Sequence, residues 1–400
     1  RAQTPSGKRG WLLVSVVSGL ALLGFFKYYD FFIRSANGLA SLIHGGPLEV
    51  APELHLILPI GISFYTFHSM SYAIDVYRGV VRPAERFVNF ACFVSLFSQL
   101  VAGPIIRYRD MAEQLVSRSH TFEKAALGVS FFIMGFAKKS ILADGVAPLV
   151  SLVFDGDGAG LVESWVGVLA YAMQIYFDFS GYSDMAVGLG YLFGFQIPQN
   201  FNSPYKAVSI TDFWRRWHMS LSTWLRDYLY VSLGGNRRGP GRTYVNLFLT
   251  MLLGGLWHGA NWTFVVWGAF HGILLVIERA LPSRNLLSRA PVPVQRAFTF
   301  LLVLVGWVFF RCESLADAWS LGQGLLGLRG MDWAWFAGAE MQLSLIVLGA
   351  CAAVAWLLPN TWEIRWRHSW LEAAALAVLF IVCVGIMLVN ASSPFLYFQF

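Results

Sequence analysis

The sequence predicts an all-α, polytopic membrane protein, and three observations carry that reading. Of its 400 residues, 56% are hydrophobic and only 13% charged, about half the charged share of a soluble domain. Uncharged apolar runs recur along the whole length. The basic residues gather between those runs, so the net charge of +6 reads as membrane topology and headgroup contact rather than nucleic-acid binding.

Taken in order, residues 1–9 form a basic lead-in without the layout of a signal peptide. The chain is expected to begin inside a longer membrane protein. Residues 11–26 are an uncharged span, with Lys27 expected to snorkel at its end beside Tyr28 and Tyr29. A Gly/Pro loop is expected over 37–50. Residues 56–74 make a span kinked at Pro59 and Gly61, with His68 as a hydrogen-bonded interior residue. Arg78, Arg82 and Arg86 precede an uncharged run over 87–106, broken near its end at Gly103-Pro104. Residues 107–124 mix both signs and read as an interfacial connection. The run 125–137, closed by Lys138 and Lys139, is too short to span unless neighbours join it.

Residues 154–160 are a Gly/Asp turn. The following run, 161–195, is apolar but interrupted by Asp178-Phe179-Ser180-Gly181-Tyr182-Ser183-Asp184. Two readings stand there: a polar cavity wall to which Asp178, Ser180 and Tyr182 contribute, or a loop at the membrane surface. No Gly-x-Ser-x-Gly elbow supports a serine nucleophile. Three further apolar runs cover 297–310, 341–361 and 373–400. The last ends in an aromatic tail suited to an interfacial belt. In all, some eight to ten membrane-embedded helices are expected, with no soluble domain. Cys92, Cys312, Cys351 and Cys383 show no CxxC spacing and read as buried small hydrophobes.

The stretch from Tyr205 to Ile277 holds the chemistry. Ser209 and Asp212 have the spacing of a helix-capping pair. Trp214, Trp217, Leu221, Trp224 and Tyr228 would share one face of an amphipathic helix; Arg215, His218, Ser222 and Arg226 would share another. The arginines suit either lipid headgroups or the phosphates of a donor. Residues 244–257 reach only about 21 Å, short of a hydrocarbon core of about 30 Å. With the turn-like His258-Gly259-Ala260-Asn261 they predict a re-entrant hairpin, with His258 at its tip and basic residues at both cytoplasmic ends. A histidine at that depth is costly without a partner or a task.

Three functions fit these residues. A buried histidine can act as general base for a hydroxyl attacking an activated acyl group. The polar intramembrane residues can instead form a transport pathway, or the histidines can be structural. A zinc site built from His218, His258 and His271 lacks acidic or thiol co-ligands, so no metal is expected, and His271 is read as structural.

Six segments, in order, resemble the membrane-bound O-acyltransferase (MBOAT) superfamily, and more narrowly its bacterial alginate O-acetyltransferase branch. They are Leu58-Pro59-Ile60-Gly61-Ile62-Ser63-Phe64-Tyr65, Ala102-Gly103-Pro104, Tyr176 to Asp184, Phe213-Trp214-Arg215-Arg216-Trp217-His218, Ser222 to Tyr230, and Leu256-Trp257-His258-Gly259-Ala260. The resemblance implies a single membrane-embedded domain over 1–400, with its catalytic core near 165–280. It implies an MBOAT-type ring of transmembrane helices around a thin centre, with short or re-entrant helices and a tunnel. His258 would match the family's essential histidine, and His218 a second one shared with D-alanyl-transfer proteins. Arg215, Arg216 and Arg226 would face donor phosphates. The donor would be acetyl-CoA, with no bound cofactor. The acceptor route would run from the inner membrane through periplasmic SGNH-type acetyltransferase partners to an exopolysaccharide. Alginate, cellulose and other polymers all fit. Family members usually carry further spans before the segment matching Trp11, and these are absent from the sequence.

Overall fold

The computed structural model describes residues 4–100, 103–156, 158–281, 286–331 and 334–389. Among the described residues every regular element is helical, and six helices are long and apolar enough to cross a membrane. The aromatic tail at 395–400 lies outside the described residues. The chain divides into two compact units: 1–118 with Leu256–Asn261, and 119–255 with 262–400.

In the first unit, α1 (Pro5–Leu23) passes through a π-helical turn (Gly24–Tyr28) into α2 (Tyr29–His44). The predicted loop over 37–50 therefore begins only after His44, where Gly45 closes the helix in the left-handed region at φ 77°. Side chains of α2 pin the irregular segment that follows. Asp30 accepts from the Leu54 and Leu56 amides at 2.7 and 3.1 Å, and Asn37 accepts from Val50 N at 2.8 Å. Here the expected span over 56–74 is corrected: α3 (Ile62–Tyr77) starts only past Gly61, which sits at φ 76°. Pro59 cannot donate to a helix, and its neighbours stay irregular. α4 (Phe87–Ser95), α5 (Phe97–Leu100) and α6 (Tyr108–Val116) complete the unit. His68 is fully buried against Phe93, with centroids 5.5 Å apart. The hydrogen bonds expected of it are not made: neither ring nitrogen has a partner among the described residues.

In the second unit the short run 125–137 is indeed joined by its neighbours. α7 (Phe122–Ala137), a π-helical turn (Lys138–Ala143) and α8 (Asp144–Phe154) are continuous. They pack against α9 (Leu161–Leu192), one unbroken helix of 32 residues, about 48 Å long. That helix overturns the surface-loop reading of 178–184. The polar residues stay helical because glycines let the backbones approach. A Cβ on Gly181 would lie 2.6 Å from the Gly135 carbonyl oxygen, and one on Gly128 would lie 2.8 Å from that of Gly188. The π-helical turn sends both of its lysines to carboxylates of α9: Lys138 to Asp184 at 2.6 Å and Lys139 to Asp178 at 2.8 Å.

The chain then passes through α10 (Ile210–Arg216), α11 (Met219–Trp224) and a π-helical segment (Leu225–Tyr230) into α12 (Gly239–His258) and α13 (Trp262–Ala280). α12 has 20 residues, or about 30 Å. It takes in Arg242 ahead of the uncharged run, so length no longer requires the re-entrant hairpin. α12 and α13 approach through glycines, since a Cβ on Gly268 would meet the Met251 carbonyl oxygen at 2.6 Å. α14 (Leu286–Arg289), α15 (Val292–Arg311), α16 (Leu315–Leu325), α17 (Ala339–Leu357) and α18 (Trp370–Val389) follow. Trp217, Trp267, Trp307, Phe213 and Phe310 are buried together, with Trp217 and Trp307 centroids 4.9 Å apart.

Candidate active site

The predicted amphipathic helix over 209–228 is not continuous. Ser209 does cap α10, its Oγ accepting from Asp212 N at 3.1 Å. The helix then breaks at Trp217, and His218 takes a left-handed backbone of φ 42°, ψ 55°. A non-glycine residue there costs about 1–3 kcal/mol and marks a position held by its surroundings. The break turns His218 away from the arginines it was expected to join. It is fully buried, with the Phe179 ring edge-on at 4.7 Å.

What holds His218 is Asn200, a residue the sequence reading passed over. Asn200 Oδ1 lies 3.2 Å from His218 Nδ1 and also accepts from Ser220 N at 3.2 Å and Ser220 Oγ at 2.9 Å. The Ser220 backbone N–H can only donate, which fixes the amide orientation, and Nδ2 then donates to Ser183 Oγ at 3.1 Å. Since Oδ1 only accepts, Nδ1 must carry the proton, and the lone pair lies on Nε2. Burial pushes the imidazole down to about 3, so it is neutral in any ordinary buffer. The one signal for Asn200 was its place in the polar run Gln199-Asn200-Phe201-Asn202-Ser203-Pro204.

A pH dependence follows. His218 binds its proton near 6.5 when unfolded and only near 3 when folded, so between those values the unfolded state holds more protons. Its contribution to stability is complete above about pH 7 and is lost as pH falls, at up to about 1.4 kcal/mol per pH unit. Denaturant unfolding in detergent at pH 7.5 and 5.0 measures this. His218→Asn is expected to show a shallower decline than the parent chain, and an equal decline would contradict the assignment.

Arg216 bonds Asp212 at 2.8 Å and Arg226 bonds Asp227 at 2.7 Å, so two of the three predicted donor cations are already compensated within the chain. Arg215 is exposed and makes no ion pair with a described residue. Asp178 is 1% exposed and Ser180 2%, while Tyr182 is half-buried. A cavity of about 300 Å³ does touch α9, but through Tyr176 and Phe177. The expected wall residues lie elsewhere on that helix, with Asp178 bound to Lys139. His271 is buried, 5.1 Å from Trp267 and 5.2 Å from Trp214 by ring centroids. Among the described residues no three His, Cys, Asp or Glu side chains converge as a metal would need.

In the first unit, His258 is 8% exposed and ends α12. Its ring lies edge-on to Trp257 at 5.0 Å. Trp257 in turn stacks on Phe67 at 5.1 Å and meets Phe64 edge-on at 5.7 Å. Lys27 Nζ donates to the carbonyls of Trp257 and His258 at 2.6 and 3.0 Å, and Tyr28 Oη to that of Leu256 at 2.8 Å. The lysine therefore does not snorkel. Its partners lie some 230 residues away, beyond the reach of any local pattern.

Long apolar helices, buried ion pairs between them and buried imidazoles define a polytopic membrane protein with polar groups set inside its helical layers. Residues 85–312 match the model of the MBOAT, membrane-bound O-acyltransferase family. The chain belongs to that family. It is 52% identical over 322 residues to a probable alginate O-acetylase of Azotobacter vinelandii, covering 80% of this chain and 63% of that protein. It is 45% identical over 413 residues to a probable alginate O-acetylase of Pseudomonas putida, covering 98% and 84%. A peptidoglycan O-acetyltransferase of Helicobacter pylori is 39% identical over 362 residues, covering 83% and 67%. The chain thus spans a little under two thirds of the length of the Azotobacter relative.

Proposed function

We propose that this chain is the membrane component of an O-acetylation system. It takes acetyl from acetyl-CoA on the cytoplasmic side of the inner membrane and passes it outward to an exopolysaccharide, with alginate as the leading acceptor. The observation that carries this reading is His258, an imidazole closing a 20-residue helix in a chain 52% identical to a probable alginate O-acetylase. In the reaction, His258 removes the proton of the attacking hydroxyl as its oxygen bonds to the acyl carbon. The carbon–sulfur bond of the thioester breaks, and the coenzyme thiolate leaves and takes up a proton. His218, neutral and with its lone pair on Nε2, serves as a second base or orients the donor. Arg215 is available for donor phosphates. A periplasmic SGNH-type acetyltransferase is the partner that delivers acetyl to the polymer. The peptidoglycan relative, at 39% identity, makes peptidoglycan the second acceptor to test.

The test uses sealed membrane vesicles of both orientations that carry the chain and its partner, supplied with acetyl-labelled coenzyme A. Label is expected on alginate, or on the partner, only when the donor reaches the cytoplasmic face. Label entering from the opposite face, or transport of free acetate without ester formation, would overturn the proposal.

A further inference from the structure

We infer that Lys27 and Tyr28 are positioning residues for His258, a role that rests on reading His258 as the general base. A helix ends with carbonyls that lack an intrahelical partner. In α12 the last three, at Leu256, Trp257 and His258, are taken by Tyr28 Oη and Lys27 Nζ at 2.6–3.0 Å. The final turn is thereby held by side chains far away in sequence. Consecutive residues of a regular α-helix point in different directions. Lys27 and Tyr28 reach one turn together because they close the π-helical turn Gly24–Tyr28, a local irregularity often found at functional sites.

The choice of lysine is informative. A cation inside an apolar helix is costly unless it has a task, and this one can satisfy two carbonyls while facing the negative end of the helix dipole. It also lies 5.9 Å from the centroid of the Trp257 ring, within cation–π range. Trp257 is wedged by Phe67 and Phe64, so backbone and side chain of the residue before His258 are both fixed. A general base displaced by about 1 Å can lose about 10²-fold in rate, which is what this clamp prevents.

Lys27→Met, Lys27→Arg and Tyr28→Phe in the full chain, assayed in membranes with acetyl-CoA, test the assignment. Lys27→Met is expected to lower kcat about 10–100-fold with KM for the donor nearly unchanged. Lys27→Arg, which keeps charge and donors, is expected to recover most of that loss. If Lys27→Met does not accumulate as folded protein, Tyr28→Phe decides, with an expected loss in kcat of about 3–10-fold. Parental kcat in Lys27→Met or Tyr28→Phe, or no recovery with Lys27→Arg, would overturn the inference. Full activity in His258→Ala would instead sink the assignment of the base itself.

Discussion

Replacing His258 by alanine is expected to reduce acetyl transfer by about 10²–10⁴-fold, the range that a well-placed general base contributes. In the proposed reaction the loss belongs in kcat, because there the imidazole acts on the proton being transferred and not on the donor's remote parts. The amount of folded protein should change little. The ring lies edge-on to Trp257, and Trp257 keeps its place between Phe64 and Phe67. Measuring label transfer per folded chain separates the two effects. Retention of more than about a tenth of the parental rate would remove His258 from the chemistry.

Asp184→Ala is expected to cost about 3–5 kcal/mol of stability, because it strands a buried ammonium. Lys138 and Asp184 side chains are only 11% and 6% exposed and meet at 2.6 Å. The same carboxylate accepts from Thr361 Oγ1 at 2.6 Å, so one deletion leaves two groups unsatisfied. Lys138→Met combined with Asp184→Leu removes both charges and should recover most of the loss. Asp178→Ala should cost less, since Lys139 keeps Asp144 at 2.7 Å. Unfolding in detergent micelles reads all three. If Asp184→Ala lies within about 1 kcal/mol of the parent, the pair is better hydrated than its burial implies.

Much of the fold was legible in residue order. Apolar runs mark helices because an unpaired backbone cannot sit in hydrocarbon, and most of those runs are helical here. The turn at Gly259–Asn261 and the Ser209 cap were also readable, since glycine and serine act on their immediate neighbours. Where charge entered an apolar run, the same reading failed. Asp178 and Asp184 left a cavity wall and a surface loop both open, and lysines on α7's continuation neutralise them while α9 stays whole. Lys27 looked like a snorkelling side chain and instead grips a helix end. The His218 segment looked like one amphipathic helix, but Asn200 and the backbone break hold its imidazole inward.

From residue order alone came the membrane class, the helix-forming runs, the family motifs and the identity of both candidate imidazoles. These depend on composition and on spacings of a few residues. Three-dimensional packing settled which carboxylates are neutralised, which tautomer His218 adopts and what secures the turn at His258. Each of those depends on a partner 18 to 231 residues away, and no periodicity of a single helix encodes such a distance.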